Sequence, residues 1–192
     1  MEIKTCMDRN TNEDNLWLNA IKMEDERNYF EAFVYYLKDA SECLKQSSFV
    51  KAALSCSCAA SCLANLGNFI IARQLYLESA RIYEENSYFI IRESIRESLW
   101  SLQEAYEYYL LGGNGDKAQR VYDKSIFLAR KINPFSGGDD VMKNLRMKKK
   151  HADTIMNISH ANLQISSEIE EVIQNFMHLR KSNHNTDRDT GR

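Results

Sequence analysis

Apolar residues recur along this chain at helical spacing. From Tyr29 the run YFEAFVYYLKDASECL places them three and four apart, and the same register returns 40 residues later in FIIARQLYLESARIYE, from Phe69. Ala32 aligns with Ala72, Tyr36 with Tyr76, Leu37 with Leu77 and Ala40 with Ala80. A weaker third copy, DKAQRVYDKSIFLARK, carries Ala118 and Tyr122, with Ile126 in place of the second alanine. Positions i, i+4 and i+8 share one helix face. Alanine on that face lets two backbones approach, and the tyrosine ring fills the groove beside them. Such a pattern belongs to stacked helical hairpins, each burying its face against its neighbours.

Start and stop signals frame the helices. Asn28 with Glu31 and Asp116 with Gln119 read as capping boxes, and Leu66-Gly67-Asn68 reads as a C-cap glycine followed by an N-cap. Gly112-Gly113-Asn114-Gly115 and Asn133-Pro134 break the pattern. The expected helices are 13–27, 28–46, 48–65, 68–85, 88–111 and 116–132, making a repeat domain over 13–133 with a linker at 134–138. Beyond the linker the period changes. Ile155, Ile158, Asn162, Ile165, Ile169, Val172, Phe176 and Leu179 alternate by three and four, a heptad seam within one long helix over 139–181. This seam either packs on its own chain or pairs two chains into a homodimer. Residues 1–12 read as a flexible N-terminus and 182–192 as a disordered tail.

Composition narrows the fold class to all-α. One proline and seven glycines among 192 residues supply too few tight turns for a sandwich, a barrel or a βα array. No apolar run is long enough to span a membrane, and the polar start MEIKTCMDRNTNED is not a secretory signal. The five cysteines form no disulfide framework, so reduced thiols and a cytoplasmic location are expected.

Charge is graded along the chain. Residues 1–46 hold six basic and ten acidic side chains, whereas 112–181 hold twelve and eight. The one dense basic block is Lys143, Arg146, Lys148, Lys149 and Lys150. A nucleic-acid-binding domain shows a stronger basic balance, and a solvated helix face is the simpler reading of the block.

Candidate chemistry is sparse. Cys56 points about 200° from Cys58 on a helix, so Cys56, Cys58 and Cys62 cannot converge on one metal unaided. They read as small packing residues among Ala52, Ala53, Ala59 and Ala60. The Gly112–Lys117 run lacks the preceding strand and the Gly-Lys-Ser/Thr ending of a phosphate loop and reads as a turn. The four histidines show no ligand or triad spacing. No catalytic residue, cofactor or metal is expected.

The Ala-x3-Tyr-x3-Ala register after Leu66-Gly67-Asn68-Phe69 resembles the second helix of a tetratricopeptide repeat. The 40-residue offset, with Glu78-Ser79-Ala80-Arg81-Ile82-Tyr83-Glu84 and Glu104-Ala105-Tyr106-Glu107-Tyr108-Tyr109, looks more like the soluble NSF attachment proteins over residues 15–132. Ala20-Ile21-Lys22 followed by Asn28–Phe33 and Tyr36 is similar to the MIT domain, a related three-helix module that binds short helical tails. The chain departs from these families: it ends Thr-Gly-Arg where the attachment proteins end in leucine, and it lacks the marker Gly and Trp of a tetratricopeptide first helix. The resemblance implies a right-handed solenoid of three antiparallel hairpins followed by the long C-terminal helix. It implies a non-catalytic scaffold or adaptor that takes a helical or extended segment of another protein. Tyr35, Arg73, Tyr83 and Tyr108 are the expected partner contacts. The alternatives are an anionic-surface or nucleic-acid binder using residues 143–150, and a cysteine-based metal or redox sensor.

Overall fold

The computed structural model describes residues 15–158 and 171–179, and these are helical apart from short turns, with no strand among them. Seven helices follow in order: α1 Leu16–Asp25, α2 Tyr29–Lys45, α3 Phe49–Asn65, α4 Phe69–Ile90, α5 Ile95–Leu111, α6 Gly115–Ile132 and α7 Gly137–Ile158. An eighth, α8, covers 171–179. Each helix from α1 to α6 packs on the next, and α7 lies against both α5 and α6.

One turn is used four times. After α1, α2, α3 and α5 a single residue takes the left-handed conformation: Arg27 at φ 60°, Ser47 at 55°, Gly67 at 78° and Gly113 at 77°. The next residue donates its N–H back to the helix, Asn28 to Met23, Ser48 to Cys43, Asn68 to Leu63 and Asn114 to Tyr109, each at 2.8 Å. This closure satisfies orphan carbonyls, and the same residue becomes the N-cap of the next helix. The first three turns stand 20 residues apart, which is the physical origin of the 40-residue sequence offset.

The repeat positions occupy the core as expected. Ala32, Ala40, Ala72, Ala80 and Ala118 are buried to the backbone, with Tyr36 and Tyr76 beside them. Ala52, Ala53, Ala59, Ala60, Cys56 and Cys62 make α3 a central helix with almost no side-chain bulk toward its neighbours.

Several boundaries differ from the sequence reading. The fourth helix runs on to Ile90, because Asn86 and Ser87 are not a break. Asn86 donates to Ser101 at 2.9 Å, and the Ser87 carbonyl accepts from Ser98 at 2.9 Å, so both are satisfied against α5. The break falls after Ile91, and Ser94 caps α5 through Glu97 N–H. Asn114, not Asp116, caps α6 by accepting from Lys117 N–H at 3.1 Å. Asn28 sits at its N-cap without making a side-chain cap bond. The expected linker is an Asn133-capped turn, in which the Asn133 side chain accepts from Phe135 and Ser136 N–H. Gly137 then presses on α6 so closely that a Cβ would overlap the Ala129 carbonyl oxygen.

Candidate interaction face

Leu54, Ser57, Cys58 and Ser61 fall three and four apart on α3 and form one stripe, exposed at Leu54, partly covered at Cys58 and Ser61 and buried at Ser57. On the α5 side lies a column of rings. Tyr108 from α5 is sandwiched between Tyr76 and Tyr83 of α4, which are seven residues apart and so share a face. Its ring centroid is 6.0 Å from Tyr76 and 5.7 Å from Tyr83, with interplanar angles of 11° and 4°. Trp100 closes the column edge-on to Tyr83 at 5.7 Å. Offset and edge-on pairs each add about 0.5–1.5 kcal/mol beyond burial. The serines of α3 wet the other side. Ser61 hydrogen-bonds the Tyr76 hydroxyl at 3.0 Å, and Ser57 bonds Tyr108.

The column is mostly floor. Tyr83 is 2 % exposed, whereas Trp100 is 44 % exposed and Leu54, within the stripe, 40 %. Burial, with neighbouring Glu104 adding to it, pushes the Tyr83 and Tyr108 hydroxyls well above the ordinary phenol range. They are neutral hydrogen-bonding groups.

Of the four expected contacts, Tyr83 and Tyr108 therefore meet. Tyr35 instead lies under the Lys38 ammonium at 5.8 Å, and Arg73 is exposed near the start of α4. Among the described residues no ring contact, hydrogen bond or ion pair joins either to the column. Sequence reading missed Trp100 and Leu54. Their signal was exposure of a large apolar side chain, which follows from the packing of three helices and not from any one helix.

On the α1 side the stripe borders a cleft of about 520 Å³ between the first turn of α1, the end of α2 and the start of α3. Trp17, Leu18 and Leu54 supply its apolar walls, and Asp39 and Glu42 its carboxylates.

Helix α7 reaches this region from the other flank. Lys148 is wedged between Glu104 at 3.0 Å and Glu107 at 2.6 Å, and His151 Nδ1 meets Glu107 at 2.6 Å. Asn144 donates to Gln103. Burial alone would lower the Lys148 pKa, but the two carboxylates outweigh it and hold the ammonium above its usual range. The basic block is thus divided: Lys148 faces inward, while Lys143, Arg146, Lys149 and Lys150 are exposed.

Three thiols, Cys43, Cys58 and Cys62, are pushed toward the protonated form. Burial, assisted by Glu24, pushes Cys58 and Cys62 up to about 12, and burial with Asp39 pushes Cys43 up to about 11. Reactive or ligating cysteines need the thiolate. Among the described residues no group of three or more His, Cys, Asp or Glu stands close enough to hold a metal, and no helix is long and apolar enough to cross a membrane.

Of the heptad positions, Phe176 is 1 % exposed within the single chain, and Ile155 and Val172 pack against the same core. Ile158 ends α7, Leu179 ends α8 and is half-buried, and Asn162, Ile165 and Ile169 lie outside the described residues, as do Cys6, 1–12 and 182–192. No protein-family model, curated protein or solved structure matches the chain.

Proposed function

We propose that the chain is a non-catalytic adaptor, a stack of three helical hairpins closed by α7, which binds a helical segment of a partner protein along the α3 stripe. The observation that carries this reading is the ring column ending in half-exposed Trp100. A rigid aromatic floor with an exposed anchor is what a peptide-binding surface requires, because rings bury much area at little cost in side-chain entropy. Tyr108 and Ser61, which are only partly buried, are the polar groups of this face that a partner can reach.

The anionic-surface reading loses one of its five cations, since Lys148 is committed to Glu104 and Glu107.

A photo-crosslinking benzoylphenylalanine placed at Leu54, and separately at Lys38, tests the reading with helical peptides selected by display on the full chain. Crosslinks at position 54 and none at 38 are expected. Crosslinking at 38 alone, or no selectable peptide, would contradict it.

A further inference from the structure

The groups around the α3 stripe specify the chemistry of the segment it takes, an inference that rests on the proposed function and deepens it. The cleft joined to the stripe through Leu54 holds one half-buried carboxylate and one at its rim. Asp39 Oδ2 accepts from Ser55 Oγ at 2.5 Å and from the Cys43 thiol at 3.8 Å. Its other oxygen takes no hydrogen bond from the described residues, so a carboxylate aimed by two donors keeps an acceptor free for the cleft. Among the described residues Glu42 pairs only with Lys45, at 2.7 Å and half-exposed on both sides. Such pairs contribute little in water and exchange partners readily.

Of the other carboxylates near the stripe, Glu104 is already paired with Lys148, and Glu24 accepts from the Tyr36 hydroxyl at 2.8 Å. Glu24 stands close enough to Cys58 and Cys62 to raise both thiols, and Glu104 adjoins Tyr83 and Tyr108. Lys51 is the cation that lines the cleft among the described residues. It pulls the Cys43 thiol down, but burial and Asp39 outweigh it. The chain itself shows what the acidic wall of α5 accepts, since α7 sets Lys148 and His151 on Glu104 and Glu107.

We propose that the partner segment is a basic amphipathic helix whose apolar side chains lie on Leu54 and Trp100 and one of whose Lys or Arg side chains enters the cleft to pair with Asp39 and Glu42. The aliphatic stem of that side chain would cross Trp17 and Leu18, leaving its charged head at the two carboxylates. A Lys or Arg head paired with a carboxylate inside a cleft is worth more than one at an open surface, because water screens it less.

The test uses two labelled peptides with one Leu/Ala apolar pattern, one carrying Lys at its polar positions and its twin Glu, titrated against the full chain. The Lys peptide is expected to bind about tenfold or more tightly than its twin. That preference should shrink in Asp39→Asn and in Glu42→Gln, while Asp153→Asn on α7 leaves it unchanged. Glu42→Gln is the safeguard against misfolding, because its side chain is half-exposed. Equal binding of the twins, or a preference indifferent to both cleft variants, would overturn this inference and leave the adaptor reading standing. Failure of both peptides to bind wild type would overturn both.

Discussion

Arg27 and Ser47 occupy a left-handed conformation that L-residues with a Cβ avoid, while the equivalent Gly67 and Gly113 adopt it without penalty. Ser47→Gly should therefore raise stability by about 0.5–1 kcal/mol, and Gly67→Ala should lower it by about 1 kcal/mol or more, both read from urea midpoints. Glu84 is a second point where one residue matters. Burial alone would raise its pKa, yet hydrogen bonds from Tyr109, Tyr88 and Lys124 at 2.6, 2.8 and 3.2 Å hold it below the ordinary carboxylate value. The folded state thus binds this proton less readily than the unfolded chain. Its contribution is complete above the unfolded pKa near 4.5 and is lost as pH falls through the lower folded value. Glu84→Gln should cost about 1–2 kcal/mol at neutral pH and flatten the acid limb of a Tm-against-pH profile. A variant whose acid limb matches wild type would refute the assignment.

Helices expose what a linear sequence carries and what it hides. The alanines and tyrosines of the repeat were legible because their spacing alone puts them on one face; all are buried except Tyr122 in the weaker third copy, which is only partly covered. The turn was legible at Leu66-Gly67-Asn68, where glycine fills the left-handed position, but not at Arg27 or Ser47, where only the backbone bond closing on the fifth residue back marks it. The role of Lys148 was equally hidden, because Glu104 and Glu107 lie 41–44 residues upstream. Its inward placement makes α7 part of the body. Lys148→Ala should destabilise the fold by about 1–3 kcal/mol by leaving two partly buried carboxylates without their cation, whereas Lys149→Ala should change it by less than about 0.5 kcal/mol. Equal effects in thermal melts would contradict the ion-pair geometry. On α3 the small residues set how closely its neighbours approach, so Ala60→Leu should cost about 1–3 kcal/mol through overpacking.

At the scale of the whole molecule, the described part of the C-terminal seam, Ile155, Val172 and Phe176, packs on the core of its own chain. With Phe176 already buried, a monomer of 22.3 kDa is expected by light scattering on size-exclusion eluate, and a stable dimer at low micromolar protein would contradict it. The proposed docking surface is the α3 stripe together with the ring column that ends in Trp100. The most direct test is the affinity of a display-selected helical peptide for wild type and for Trp100→Ala, measured by calorimetry with Tm recorded in parallel. Loss of the half-exposed anchor should weaken binding about tenfold or more while Tm falls by only a few degrees. Unchanged affinity in a folded Trp100→Ala protein would contradict the claim that this face is where the partner docks.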